Sequence, residues 1–356
     1  MATLKQRLHR KNGTAYDIVH LETESNVVMR PSGNTVETDL TNYLPKVQDS
    51  DDVPEGLNPG QVSIGPTKGY YCTGDGSVKE FGKGSGGGLD SKVPTLGVDF
   101  SYSGNCEVID DSTNSNTNWR IKFYTSGTLR LSSDATIDVF AVGGGGGGGK
   151  ANYENNAGGG GGGGGYTSTI RNILLEKETD YIITVGDGGA YGRVDYGGTG
   201  GTSTLLTCTA NGGKGGTPGS YNYPLGGDGG SGGGAGSNQI NISGGDGGSD
   251  GSDGTKVSLT NGGSGQGTTT REFGEETGDL YSGGGGGAGG TNASSGTNNG
   301  NGLGGDGGGG HTGKAGTVNT GGGGSGGRPN TRLADKFQAG AGGSGIVVIR
   351  KTLWGT

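Results

Sequence analysis

The segment Thr136-Ile137-Asp138-Val139-Phe140-Ala141-Val142 runs without a break into seven consecutive glycines, residues 143–149. Its first half has the β-branched and aromatic composition of a strand. Its second half consists of the residue that loses most conformational entropy on folding. Further strand-like segments at 166–170, 181–185, 202–209, 256–259 and 346–350 are also joined to glycine-dominated runs, among them 158–165, 226–236, 244–254, 283–290, 304–310 and 321–327. A Gly/Ser linker is a single featureless coil. Glycine that returns repeatedly between strands points to architecture instead.

Two ordered states suit such runs. Collagen requires an unbroken G-X-Y phase and abundant proline, and a chain with 93 glycines but 9 prolines, in short runs, does not meet that requirement. Polyglycine II remains, with threefold geometry, about 3.1 Å of rise per residue and no internal hydrogen bonds. Because buried backbone groups must be paired, such helices have to stack side by side. An eight-residue run would span roughly 25 Å. Asp228 and Ser231 fall three apart, and Thr199, Lys214, Asp246, Ser264 and Asp306 occupy the third place of similar triplets, so all are expected on the outside of a bundle.

The expected fold is all-β with a polyglycine II helix bundle. Residues 1–48 read as a small α+β module with strands at 16–21 and 26–29. A helix between Asn34 and Pro45 follows, with the apolar stripe Val36, Leu40, Tyr43 and Leu44. A helix this short is marginal alone, so the stripe suits attachment or oligomerisation. Residues 49–84 read as a linker and a small β meander (strands 60–65, 69–72 and 78–81), and 85–92 as a flexible joint. Residues 93–356 form the glycine-rich distal domain, a β-sandwich-like collar carrying stacked helices.

Composition narrows the function. Only 26% of residues are hydrophobic, so hydrogen bonding must substitute for burial, and a net charge of -8 without a basic block argues against nucleic acid as the main partner. No apolar stretch reaches about 20 residues and the basic start lacks an apolar core, so neither membrane insertion nor a Sec-type signal is expected. Cys72, Cys106 and Cys208 have no paired spacing, which fits small buried thiols made in a reducing cytoplasm.

Chemistry is sparse. His9, His20 and His311 are scattered, and no nucleophile and base or paired carboxylates share a spacing, so no enzyme is expected. The Walker-like matches ending at Lys150 and Lys314 continue with alanine, where magnesium binding needs Ser or Thr. Asp246, Asp250 and Asp253 lack the register of a calcium nonapeptide. No cofactor or metal is expected. The functional signal lies in the loops: Tyr153 in 150–157; Tyr191, Arg193 and Tyr196 in 190–196; Tyr221 and Tyr223 in 217–225; Arg271, Phe273 and Tyr281 in 271–281. The segment 328–337, with Arg328, Arg332 and Phe337, belongs with them. Exposed tyrosine joins an apolar face to a hydroxyl and is frequent in binding surfaces.

Several segments together resemble the glycine-rich domain of phage tail fibres. They are Ile137 to Val142 leading into 143–149, Tyr181-Ile182-Ile183-Thr184-Val185-Gly186-Asp187-Gly188-Gly189, Thr202-Ser203-Thr204 with Ala210-Asn211-Gly212-Gly213, and Gly345-Ile346-Val347-Val348-Ile349-Arg350. The resemblance extends to the polyglycine tip adhesins of T-even-type phages and covers about residues 120–350. Leu57-Asn58-Pro59-Gly60-Gln61-Val62-Ser63-Ile64, with Gly69-Tyr70-Tyr71 and Gly74-Asp75-Gly76-Ser77, is similar to a small repeat of phage fibre and baseplate-attached proteins. The resemblance implies a virion protein that binds a host-surface glycan or outer protein through its loops. It also implies attachment to tail or baseplate partners through residues 1–48, and a homotrimer or single-copy cap. The alternative it leaves open is a structural spacer or cap without receptor binding.

Overall fold

The computed structural model describes residues 7–12, 15–20, 46–47, 62–64, 68–72, 78–82, 92–112, 118–193, 195–219, 224–237, 244–290, 302–311, 313–329 and 338–351. The chain divides into two compact units, Met1–Gly86 and Gly87–Thr356. In the first, β1 (Arg7–Asn12) and β2 (Ala15–His20) form an antiparallel pair. A separate sheet places β3 (Lys46–Val47) parallel to β4 (Val62–Ile64), which continues antiparallel through β5 (Lys68–Cys72) and β6 (Val78–Gly82). The strand read at 26–29 and the helix between Asn34 and Pro45 lie outside the described residues.

Among the described residues the second unit contains ten strands: β7 (Phe100–Tyr102), β8 (Cys106–Asp110), β9 (Trp119–Phe123), β10 (Gly127–Leu131), β11 (Ala135–Val142), β12 (Thr167–Leu175), β13 (Asp180–Thr184), β14 (Ser203–Leu205), β15 (Cys208–Ala210) and β16 (Ile346–Lys351). They form two antiparallel sheets, ordered β15-β14-β13-β10-β7 and β12-β11-β16-β9-β8. Alternation along β9 and β13 turns Trp119, Ile121, Phe123, Tyr181 and Ile183 inward, where they meet Leu129, Leu131, Ile137, Val139, Leu205, Val347 and Ile349 in one core. Each fully buried large side chain contributes about 1.5–3 kcal/mol. The fold is thus all-β. Among the described residues the helical content is one 3-10 turn, Glu272–Gly274, and no helix is long and apolar enough to cross a membrane.

Two local readings are corrected, and two strands are added. The stretch 202–209 is two strands, reversed at Leu206 with φ 53°. Residues 256–259 belong to a tight turn closed by reciprocal bonds between Val257 and Thr260 of 2.9 and 2.7 Å. Strands β7 and β8 were not anticipated: β7 spans three residues, and two charges in β8 dilute its pattern.

The glycine runs form a laterally hydrogen-bonded array whose partners change with a period of three. Gly144 and Gly147 donate to Gly201 and Gly198; Gly145 and Gly148 donate to Gly343 and Gly340; Gly146 and Gly149 donate to Gly163 and Gly160, all at 2.8–2.9 Å. The carbonyls repeat the rhythm: Gly144 and Gly147 accept from Gly213 and Gly216, Gly145 and Gly148 from Gly189 and Gly192, and Gly146 and Gly149 from Gly324 and Gly327. One run thereby touches six others and is buried throughout. The packing leaves no room for side chains, since a Cβ at Gly148 would lie 1.8 Å from the Ser325 carbonyl oxygen and one at Gly146 2.1 Å from that of Lys214.

At the perimeter, where a run lacks a neighbour, side chains replace the missing backbone acceptors. Asp228 Oδ1 accepts from the Ser264 amide at 3.0 Å, Asp253 Oδ1 from Gly265 at 2.8 Å and Asp246 Oδ1 from Leu303 at 2.6 Å. The Ser249 hydroxyl does the same for Asp306, also at 2.6 Å. Thr199, Lys214, Asp246, Ser264 and Asp306 are exposed as their triplet phase requires. Ser231 departs from that reading: it is buried, and its hydroxyl accepts from Gly251.

Candidate functional site

The route of the runs decides which loops meet. Residues 143–149 leave β11 and 158–165 return to β12; Gly143 bonds Tyr166 beside the sheets, and Gly149 bonds Gly160 at the other end. Loop 150–157 therefore sits at the end remote from the sandwich. By the same register, 186–192 leave β13 and 211–219 leave β15, so their loops reach that end too. Two bonds join the three: Lys150 N–H to the Asp195 carbonyl at 3.3 Å, and Gly219 N–H to the Lys150 carbonyl at 2.8 Å. Loop 150–157 is braced by reciprocal Asn152–Ala157 bonds and by Asn152 Oδ1, which accepts from the amides of Glu154 and Asn155.

This end presents aromatic surface. Tyr153 is 44% exposed and Tyr196 46% exposed, Tyr191 is half-buried and Arg193 exposed. Tyr221 and Tyr223, with Arg332 and Phe337, lie outside the described residues; Arg328 is buried. Recognition surfaces in general pair aromatic faces with a rigid scaffold. Short loops between hydrogen-bonded runs supply that rigidity.

Segment 271–281 lies elsewhere, and its expected role is corrected. Phe273 is 3% exposed and Tyr281 5% exposed, both packed on Phe140, Val142, Ile346 and Val348 across the outer face of the second sheet. The Phe273 and Tyr281 rings stand 5.8 and 5.5 Å from Phe140. Arg271 is half-buried and bonds Asp250 Oδ2 at 3.2 Å. The segment is a strap that covers the sheet, and its aromatics are core.

Charges pin this strap. Arg120 donates to Glu272 at 2.5 Å and to Asp111 at 2.6 Å, Lys122 to Asp279 at 3.0 Å, and Arg350 to Glu275 at 2.7 Å. Arg350 also lies 4.1 Å over the Phe273 ring. Asp138, buried at a bulge of β11 against β12, accepts from Arg171 at 3.1 Å and from Arg350 at 3.2 Å. The Lys122 hydrogen bond, outweighing partial burial, holds the Asp279 carboxyl below the ordinary carboxylate range. Burial, reinforced by Glu272, pushes the Tyr281 hydroxyl far up; it stays protonated and donates to Glu272 Oε2 at 2.9 Å.

A family model described as a glycine-rich domain matches residues 124–352. The chain belongs to that family. The matched span of the glycine-rich domain runs from the end of β9 through β16 and takes in the whole glycine array. No curated protein matches the chain.

Among the described residues, no group of three His, Cys, Asp or Glu is placed to hold a metal. The aspartates at 246, 250 and 253 are each engaged separately, with Leu303, Thr269 and Thr270, and Gly265. His311 Nδ1 accepts from the Gly304 amide.

Proposed function

We propose that this glycine-rich domain is the distal, receptor-binding part of a phage tail fibre, a non-enzymatic adhesin whose loops contact a host-surface glycan or outer protein. The finer fold reading behind it is a polyglycine II bundle, supported by the period-three change of hydrogen-bond partners along 143–149 and its neighbours. The observation that carries the functional reading is the gathering of loops 150–157, 190–196 and 217–219 at the end away from the sandwich, with Tyr153 and Tyr196 half exposed there. In this reading the protein works in the virion tail, residues 1–48 join other tail or baseplate proteins, and the assembled form is a homotrimer.

The test is replacement of Tyr153, Tyr191 and Tyr196 by serine, singly and together. Loss of a central aromatic contact costs about 1–2 kcal/mol or more, so each single variant lowers host-cell binding about tenfold and the triple variant abolishes adsorption. Unchanged adsorption and host range for the triple variant, with an unchanged melting curve, would instead make the protein a structural spacer or cap.

A further inference from the structure

On the sandwich, away from the tyrosine-bearing loops, the strap and the adjoining ends of β8, β9 and β16 border a cleft of about 240 Å³. Asp111, Asn118 and Arg120 line it from the β8 and β9 side, Thr277 and Asp279 from the strap, and Arg350 and Lys351 from β16. The side-chain oxygen of Asn118 is shielded from solvent and has no hydrogen-bond partner. A buried, unsatisfied acceptor costs about 1–3 kcal/mol, and turning the half-buried Asn118 side chain toward the cleft would let a ligand donor recover that loss.

The chemistry of the walls selects the ligand class. Every carboxylate there is matched: Asp111 and Glu272 by Arg120, Glu275 by Arg350, and Asp279 by Lys122. An anion would meet these acids, and a cation would meet Arg120 and Arg350, so either must break an existing pair. An apolar ligand finds no surface, because Trp119 and Phe273 line the cleft but are 1% and 3% exposed. A neutral hydroxyl group both donates and accepts, so it can bond a paired carboxylate and a paired guanidinium without displacing either. The volume lies below the roughly 300–1,000 Å³ of pockets that enclose a drug-sized molecule. It suits one ring with its continuation in solvent.

We propose that this cleft is a subsite for a single residue of a neutral saccharide. It is spatially separate from the tyrosine-bearing loop end and does not depend on it.

Saturation-transfer NMR on the full chain tests the assignment, using glucose, galactose, mannose and N-acetylglucosamine against glucuronate and glucosamine at about 10 mM, a concentration suited to millimolar affinity. At least one neutral sugar should give a signal that falls about tenfold in Asn118→Leu and in Thr277→Arg, the latter at an exposed position where the fold tolerates change. The signal should persist in the tyrosine-to-serine variants. If Asn118→Leu does not fold, Thr277→Arg decides alone. The assignment is overturned if no neutral sugar responds, if only the charged sugars do, or if the response survives Thr277→Arg. A response lost only in the tyrosine variants would place saccharide binding at the loop end and likewise overturn it.

Discussion

Within residues 143–149, glycine is required by the neighbouring backbone. The atoms that a methyl group would strike are carbonyls of adjoining runs, at 1.8 Å for Gly148 and 2.0 Å for Gly145, and those runs are themselves hydrogen-bonded on other sides. A side chain in a hydrocarbon core can change rotamer to admit an extra methyl; a carbonyl in this array cannot. The usual overpacking cost of about 1–3 kcal/mol is therefore a lower bound. Gly148→Ala is expected to destabilise the glycine-rich domain by about 3 kcal/mol or more and to lower its melting temperature accordingly. Thr199→Ala, an exposed position in a neighbouring run, should stay within about 0.5 kcal/mol. Equal melting temperatures for the two variants would show that the array relaxes around added volume. The aspartates of the GGDGG segments read from sequence as exposed third positions; Asp246 and Asp306 are exposed, whereas Asp228 is half-buried against the adjoining run. That the Asp228 and Asp246 carboxylates would finish the hydrogen bonding of the adjacent run was not legible, because it depends on which runs become neighbours.

At the scale of elements, β11 and β16 show how a legible pattern can be under-read. Val139-Phe140-Ala141-Val142 and Ile346-Val347-Val348-Ile349 are continuous apolar runs, and a strand of that kind is buried on both faces. One face meets the opposing sheet, so the other needs a cover. Segment 271–281, with Phe273 and Tyr281, is that cover. Its distance along the chain, and the loop-like Glu, Gly and Thr between the two aromatics, hid the role. The same reasoning separates it from loops 150–157 and 190–196, which have no apolar sheet face to cover. Glu272 is the central anchor of the strap, with a side chain 2% exposed that bonds Arg120 and Tyr281. In Glu272→Gln, Arg120 and Lys122 keep Asp111 and Asp279, so the loss falls near the roughly 1.5–3 kcal/mol of a hydrogen bond to a charged group. Amide exchange in 271–281 should accelerate about tenfold or more while β9 and β13 keep their protection. Uniform acceleration through the sandwich would mean that the strap and the sheets open as one unit.

Across the whole molecule, a structure with few hydrophobic residues and many backbone bonds depends on its perimeter being finished by charged acceptors, and this sets its response to pH. Burial opposes ionisation of Asp228, but the Ser264 amide and Lys214 outweigh it and hold the carboxyl below its ordinary range. Asp250 is held low first by Thr269, then by the Thr270 amide and Arg271 despite some burial, and Asp279 by Lys122. At Asp99, desolvation is outweighed by Lys92 and the Thr95 amide. A carboxyl whose folded pKa is depressed binds its proton more readily when unfolded, so its contribution is complete well above the unfolded value of about 3.9 and is lost as pH falls through the folded value. These four groups act in the same direction and lie apart, two on the glycine array, one on the strap and one at the edge of the sandwich. The melting temperature of the full chain should therefore be level between about pH 7 and pH 5 and fall below about pH 4. Asp228→Asn should remove part of that acid-side slope while lowering stability at neutral pH. Its amide oxygen can still accept from Ser264, but the charge that pairs with Lys214 is gone. A melting temperature that stays level to pH 2, or an Asp228→Asn profile parallel to that of the parent, would show that these carboxylates are not what closes the perimeter.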